Sequence, residues 1–127
     1  MNRRTVLQRI ATTISTGWLS LAFAGSTSIS QVLYTEYVAG YQYAPVMKHE
    51  HKITKGDPLR LVREPENPYD NRAIAIYWRH VRVGYIRMVD NRVLTSMMDQ
   101  QMPLLARVKE IDLQAPTWER LTVEVGV

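Results

Sequence analysis

A polar stretch between two apolar runs constrains the fold of this chain more than any other feature. The stretch spans residues 63–73, with an apolar run at 58–62 before it and another at 73–78 after it. Pro65 and Pro68 fix the backbone angle φ near about −65°, and each disfavours the α conformation in the residue before it. Asn and Asp side chains favour turns because they bond to nearby backbone groups. The stretch is therefore predicted to be a shaped loop between two strands, where binding residues are often held.

The composition suits one domain and excludes cysteine chemistry. The chain has 127 residues and no Cys, so it has no disulfide, thiol nucleophile or cysteine metal site. Its formal charge is +4, but Arg3, Arg4 and Arg9 lie in the first 24 residues, which contain no acid. Without these three, the rest of the chain contains 13 of the 16 basic residues and all 12 acidic ones, so its net charge is close to zero. Nucleic-acid binding is therefore expected to be local, not a property of the whole surface.

The first 25 residues have the layout of an export signal. A short basic start precedes an uncharged run at 10–24, which ends with the small residues Ala22 and Ala24. This run of about 15 residues is shorter than the ~20 that span a bilayer as a helix. Residues 3–7 resemble the twin-arginine export motif, although the flanking residues depart from the fuller pattern. Residues 1–25 are predicted to be a signal-like helix of an exported, periplasmic protein. The alternatives are an uncleaved anchor and the N-terminal arm of a cytoplasmic protein.

The rest of the chain predicts a mainly β domain. A flexible lead-in is expected at 26–34 and the domain at 35–127. Runs of β-branched and aromatic residues or alternating apolar residues predict short strands. These lie at 31–43, 59–63, 73–79, 81–86, 104–113 and 120–127. Residues 44–55 are predicted to form a loop.

One helix is predicted between the fourth and fifth strands. Apolar residues recur at helical spacing over 91–101, Asp90 is a suitable N-cap and Pro103 ends the pattern. In the last strand, Leu121, Val123 and Val125 are expected to face inward, and Thr122 and Glu124 outward. Five to six strands with one helix predict a small OB-like or modified β-barrel, because closure removes exposed strand edges.

The residues give little support for catalysis or metal binding. His49 and His51 flank an acid, but no third metal ligand is visible, so a solvated loop is the preferred interpretation. Glu64, Glu66 and Asp70 could form a carboxylate pair, but a role in the turn is favoured over general acid–base catalysis. No nucleophile–base pair can be assembled, so a hydrolase ranks last. The prediction is a protein without enzymatic activity or cofactor.

Aromatic and basic residues leave two interpretations open. Exposed tyrosines on a sheet can stack nucleic-acid bases, whereas buried ones belong to the core. The tyrosines concerned are Tyr37, Tyr41, Tyr43, Tyr69 and Tyr85. Arginines near the third and fourth strands could contact phosphates or could be ordinary strand-edge charges. These arginines are Arg72, Arg79, Arg82 and Arg87.

Three segments of the chain together resemble the HIRAN domain. They are residues 38–43, residues 56–76 and residues 83–86, and the most specific part is Glu64-Pro-Glu-Asn-Pro-Tyr-Asp-Asn-Arg-Ala-Ile with the later Gly-Tyr-Ile. The resemblance covers residues 35–125. It implies a modified OB-like barrel, a domain found in certain SNF2-type fork-remodelling helicases and also alone in bacteria. In the helicases the domain captures a free 3′ end of single-stranded DNA.

The resemblance also implies site residues. Tyr43 would pack on the terminal bases, and Asn67 and Asp70 would receive the 3′ end. Tyr85, Ile86 and Arg87 would lie beside the path of the strand. A carboxylate accepts a hydrogen bond from a 3′-hydroxyl and repels a 3′-phosphate. The predicted nucleic-acid-binding residues are Tyr43, Asn67, Tyr69, Asp70, Tyr85 and Arg87.

Three departures from the helicase pattern motivate a second hypothesis. Gln42 stands where a basic residue is expected, Ala44 replaces an aromatic and Met88 replaces a lysine. The leading hypothesis is a monomeric module that binds single-stranded DNA or another nucleic acid. The alternative is an exported, envelope-associated domain that keeps the HIRAN fold and binds a protein partner. Neither has an integral membrane domain after signal removal.

Overall fold

A computed structural model describes residues 28–127. The predicted signal-like segment and the first two residues of the predicted lead-in lie outside this range. Within it, no helix combines the length and apolar character needed to cross a membrane.

The described residues form six strands, one α-helix and four short 3₁₀ helices. The strands are β1 (Val32–Tyr37), β2 (Pro58–Glu64), β3 (Ala73–Trp78), β4 (Val81–Tyr85), β5 (Leu105–Ile111) and β6 (Leu121–Gly126). The helix α1 is Asn91–Asp99, and the 3₁₀ helices are Tyr41–Tyr43, Pro45–Lys52, Met88–Asp90 and Thr117–Glu119.

The strands form one antiparallel sheet that curls back on itself. Its order is β1-β6-β5-β2-β3-β4. An isolated bridge pairs Ala39, just after β1, with Tyr85 at the end of β4, through N–H···O distances of 2.9 Å in both directions. Because this bridge joins the two outer strands of the sheet, the prediction of a mainly β, OB-like modified barrel with one helix is confirmed.

The two faces of β3 show how the sheet is packed. Ile74, Ile76 and Trp78 point into the core and are at most 3% exposed. Ala73 and Ala75 lie on the other face, where Ala75 is opposite Val62 of β2 and Tyr85 of β4. The larger cross-strand neighbours leave Ala75 without exposed surface. On the outer face of the sheet, side chains from β2, β3 and β4 therefore contact one another across the strands.

Gly84 permits the bridge that closes the sheet. Its φ is 147°, which side chains rarely tolerate, and a Cβ there would overlap the Ala39 carbonyl oxygen and the Val38 side chain. The absence of a side chain therefore lets the segment after β1 approach β4 closely.

The region after β1 differs from its prediction. The strand predicted over 31–43 ends at Tyr37, because Gly40 adopts φ 73° and starts a 3₁₀ helix. The predicted loop at 44–55 instead contains the 3₁₀ helix Pro45–Lys52. Both 3₁₀ helices pack against the core, because each buries one apolar residue there, Tyr41 in the first and Val46 in the second. β1 also begins at Val32, so the end of the predicted lead-in belongs to the sheet.

Two acidic residues take unexpected positions. Glu124 lies on the outer face of β6 but is only 4% exposed, because Arg107 and Lys109 of β5 cover and neutralise it. Asp90 immediately precedes α1 as predicted, yet its side chain does not cap the helix. Its carboxylate instead accepts a hydrogen bond from the Tyr34 hydroxyl and pairs with Arg87.

Candidate nucleic-acid interface

The loop between β2 and β3 is shaped by hydrogen bonds within itself. The Asn67 side-chain oxygen accepts a hydrogen bond from the Tyr69 N–H at 2.9 Å, and Asp70 Oδ1 accepts one from the Arg72 N–H at 2.9 Å. Backbone bonds from Asn67 N to the Glu64 oxygen and from Ala73 N to the Asp70 oxygen close successive turns. These are the side-chain-to-backbone turns that Asn and Asp favour.

Helix α1 holds the second half of the loop through side-chain hydrogen bonds. Asn91 is buried, and its side-chain amide donates to Asp70 Oδ2 at 2.7 Å and to the Arg72 carbonyl at 3.0 Å. The Thr95 hydroxyl donates to the same carbonyl at 2.7 Å. Asp70 therefore has one carboxylate oxygen bonded to the loop and the other to the helix.

Arg63 anchors the loop from the end of β2. Its guanidinium donates to the carbonyls of Asn71 and Ala73 at 3.1 and 2.8 Å, and it forms an ion pair with Asp99 of α1 at 2.8 Å. The planar five-donor group can make these bonds together, whereas a lysine ammonium lacks the same fixed geometry.

Glu64 connects two predicted site residues that are distant in sequence. One oxygen of its carboxylate accepts hydrogen bonds from Asn67 Nδ2 at 3.0 Å and from the Tyr85 hydroxyl at 2.9 Å. Burial raises the pKa of Tyr85, and the bond to Glu64 acts in the same direction, so this tyrosine stays a donor. Glu64 was predicted only to take part in the turn, because no local signal in the sequence indicates its contact with β4.

These contacts build one cleft beside the bridge that closes the sheet. The cleft has a volume of about 400 Å³, and most of its lining is apolar. It is lined by Ala39, Gly40, Asn67, Pro68, Tyr69, Asp70, Ala73, Tyr85, Ile86 and Met88. Four of the six predicted site residues, Asn67, Tyr69, Asp70 and Tyr85, thus line the same cleft.

The cleft has one acidic group, and it is ionised. The hydrogen bond from the Arg72 N–H lowers the pKa of Asp70 and, with the Asn91 side chain and the charges of Arg72 and Arg63, outweighs the opposing effect of burial. Carboxylate oxygens have two lone pairs each, so both retain an acceptor site beyond the bond they already make. Asp70 can therefore accept a further hydrogen bond from a ligand hydroxyl.

The other two predicted site residues do not line the cleft. The Tyr43 side chain is 83% exposed, in the 3₁₀ turn that begins after the cleft residue Gly40. Arg87 lies between the cleft residues Ile86 and Met88, but its guanidinium pairs with Glu36 at 2.8 Å and with Asp90 at 3.1 Å.

The three departures from the helicase pattern occupy different environments. Ala44 is 5% exposed and belongs to the hydrophobic core. The Gln42 side-chain oxygen is buried and has no hydrogen-bond partner among residues 28–127. Met88 is 56% exposed and extends the apolar lining of the cleft.

Metal ligation has no support in the described part of the chain. No group of three or more His, Asp or Glu side chains there could hold an ion. His49 and His51 lie in the 3₁₀ helix Pro45–Lys52, and the Glu50 carboxylate between them bonds to the Tyr41 hydroxyl and Arg120.

Comparisons with known proteins agree with this architecture. The family model of the HIRAN domain matches residues 31–126. A crystal structure of a protein from Lactobacillus plantarum is similar, with 28% identity and a TM-score of 0.62, over 76% of this chain and 95% of that one. The crystal structure of the HIRAN domain of human HLTF is also similar in fold, with 22% identity and a TM-score of 0.57, over 73% of this chain and 74% of that one. No curated protein matches the sequence.

Proposed function

The chain belongs to the HIRAN family, and from this premise we propose that it binds single-stranded nucleic acid and receives a 3′-hydroxyl end in the cleft. The HIRAN domain is a binding domain, and membership of the family supports nucleic-acid binding in general. The observation that carries the finer proposal is the convergence of Asn67, Tyr69, Asp70 and Tyr85 on one apolar cleft.

The apolar part of the cleft suits a nucleobase. Tyr69 is 88% exposed at its rim, so its ring is free to stack on an incoming base, while the exposed Met88 offers an apolar contact. Base–aromatic stacking contributes about 1–3 kcal/mol per base and tolerates any sequence. The cleft therefore supports binding of a strand end without a preference for particular bases.

The polar part of the cleft suits a hydroxyl and disfavours a phosphate. Ionised Asp70 accepts a hydrogen bond from a 3′-hydroxyl, but a phosphate group placed there would meet a like charge. None of the described residues that line the cleft is basic, so a phosphate there has no cation to bind directly. The charges of Arg72 and Arg63 reach Asp70 only from outside the lining. The chemistry thus favours a terminal hydroxyl over a terminal phosphate.

A titration with end-modified oligonucleotides tests the proposal. Fluorescence anisotropy at low salt would measure the affinity of residues 26–127 for a labelled oligo-dT strand. The strand would end in either a 3′-hydroxyl or a 3′-phosphate. We expect tighter binding of the hydroxyl form, and a loss of about fivefold or more in Tyr69→Ala, the effect of about 1 kcal/mol of stacking. Because the pKa of Asp70 is lowered, the preference should persist to about pH 5, above the ordinary aspartate value of about 3.9.

Tyr69 is a better first variant than Asp70. Its side chain is exposed, so its removal should leave stability unchanged, whereas Asp70→Ala also removes a partner of buried Asn91. Leu113→Ala, an exposed apolar residue outside the cleft, serves as the control. Equal affinity for both end forms would contradict the 3′-hydroxyl proposal.

A protein-binding role is the second candidate. The lining of the cleft is mostly apolar, and Arg87 beside it is already paired with two acids. Both features favour an apolar side chain of a partner protein as the ligand over a phosphate backbone. The export signal predicted at residues 1–25 would place such a domain outside the cytoplasm. Failure of both oligonucleotide forms to bind at low salt would favour this candidate.

A further inference from the structure

A row of alternating basic and aromatic side chains crosses the outer face of the sheet next to the cleft. Arg60 of β2 is directly opposite Tyr77 of β3, and Tyr77 is opposite Arg82 of β4. The Arg60 guanidinium lies over the Tyr77 ring, 4.9 Å from its centroid. The Arg82 guanidinium lies 5.6 Å from the centroid of Tyr85, which lines the cleft. Arg60, Tyr77 and Arg82 are called the Arg–Tyr row below.

The charge of the row is not compensated within the described residues. Neither Arg60 nor Arg82 has a carboxylate within ion-pair distance there, and Arg82 Nε has no hydrogen-bond partner. The acids nearest along the same strands are engaged elsewhere. Glu64 accepts bonds from Asn67 and Tyr85, and Asp57 accepts one from the Trp78 indole.

The spacing of the row fits an extended polyanion that also carries aromatic groups. Neighbouring strands are about 4.8 Å apart, so the backbones of β2 and β4 are separated by about 10 Å. Arg60 and Arg82 extend from backbones this far apart, with Tyr77 between them, and so combine phosphate contacts with an aromatic surface. An acidic peptide would use the charges but not the tyrosine ring.

We propose that the Arg–Tyr row is a second contact surface for the same nucleic-acid strand, binding the phosphates upstream of the end held in the cleft. This inference rests on the proposed function for the direction of the strand. Tyr85 provides the continuity, because it lines the cleft on one side and contacts Arg82 on the other. The cleft then selects the end, and the row supplies the phosphate contacts that the cleft lacks, because none of its described lining residues is basic.

The proposal predicts that affinity depends on strand length. Because Arg82 adjoins the cleft residue Tyr85, only a strand of about 2 nucleotides occupies the cleft alone. A strand of about 16 nucleotides, the upper end of OB-fold site sizes, also reaches the row. The longer strand should bind about tenfold tighter at low salt. Its affinity should fall more steeply with salt, because each phosphate contact on a single strand adds about 0.7 to the slope.

The test compares Arg60→Gln/Arg82→Gln with the charge-matched control Arg92→Gln/Lys55→Gln in anisotropy titrations with dT of both lengths. We expect the row variant to bind the short 3′-hydroxyl strand like wild type, to lose the gain with length and to lower the salt slope by about 1 to 1.4. Unchanged short-strand binding also shows that the variant is folded. Arg60→Lys/Arg82→Lys should retain most of the gain.

The outcomes separate this inference from the proposed function. If the row variant keeps the full gain with length, or if the control loses as much, the row is not a contact surface. If wild type binds the short strand but gains nothing with length, the row inference fails and the cleft proposal stands. If long strands bind through the row regardless of their 3′ group and short ones do not bind, the cleft proposal fails and the row stands.

Discussion

Arg87 illustrates how far a single residue's neighbours determine its role. The resemblance implies a residue beside the strand path, but the guanidinium is held between Glu36 on β1 and Asp90 before α1. Asp90 also accepts a hydrogen bond from the Tyr34 hydroxyl. Burial raises the pKa of Tyr34 to about 12, and the charge of Asp90 adds to this increase, so the tyrosine stays protonated. A phosphate approaching Arg87 therefore meets two carboxylates as well as one cation, and we infer that these acids weaken binding.

Replacing Glu36 tests this attenuation. Glu36→Gln should raise the affinity for a 3′-hydroxyl oligonucleotide about two- to fivefold at low salt, because removing an exposed charge of this kind changes the free energy by about 0.5–1 kcal/mol. The gain should shrink at high salt, where exposed charges are screened. Anisotropy titrations at two salt concentrations measure both effects.

Glu110→Gln is the matched control for that variant. It makes the same change in net charge and also breaks an exposed ion pair, with Lys55, outside the cleft. An equal gain in both variants would mean that net charge alone is responsible, and no gain in Glu36→Gln would show that Arg87 makes no contact with the ligand.

At the scale of elements, α1 acts as the support of the binding loop. Asn91 and Thr95, one helical turn apart, both bond to the Arg72 carbonyl, and Asn91 also reaches Asp70. Arg63 adds a link from β2 to Asp99 at the far end of the helix. The loop is therefore held on both sides before any ligand arrives.

Removing the Asn91 amide should loosen this support. Asn91→Ala is expected to lower the free energy of unfolding by about 1–3 kcal/mol, because it removes the two hydrogen bonds that the buried Asn91 amide donates to Asp70 and to the Arg72 carbonyl. It should also weaken oligonucleotide binding through Asp70. Urea denaturation and the anisotropy titration give the two values.

Arg92→Ala, on the exposed side of the same helix, provides the comparison. Its stability should stay within about 0.5 kcal/mol of wild type, as for most surface substitutions. A stable Asn91→Ala variant with full binding would show that α1 does not position the loop.

Local sequence signals account for the strands and the loop but not for their supports. Alternating residues predicted β2 to β6 and the prolines predicted the shaped loop, because both depend on neighbours in the chain. The 3₁₀ helix Pro45–Lys52 was missed because burial of Val46 depends on tertiary packing. The link from Glu64 to Tyr85, and the burial of Glu124 beneath Arg107, depend on strand register that no short stretch of sequence specifies.

At the scale of the whole molecule, one close approach joins the outer strands and also builds the cleft. Ala39 and Tyr85 form the bridge and both line the cleft, so closure of the sheet and formation of the site are the same event. Gly84 lies beside this bridge, where a side chain would collide with Ala39 and Val38.

Gly84→Ala should therefore damage stability and binding together. We expect a loss of about 3 kcal/mol or more in the free energy of unfolding, because steric overlap adds to about 1–3 kcal/mol of backbone strain. Gly56→Ala separates the two effects: its φ is 92°, but the space around it is open, so strain alone should cost about 1–2 kcal/mol. Equal losses in the two variants, measured by urea denaturation, would argue against overlap at the bridge.

The position of β1 in the sheet also has a consequence for the order of events during synthesis. Within residues 28–127, its strand partner is β6, the C-terminal strand of this range, whereas β2, β3 and β4 pair with neighbours in sequence. The meander that carries the loop and Tyr85 can form while the chain is still emerging from the ribosome. β1 must wait until residues 121–126 are available, because pairing of distant segments is slow and comes late. The cleft, which needs Ala39 beside Tyr85, is thus completed only after residues 121–126 have left the ribosome.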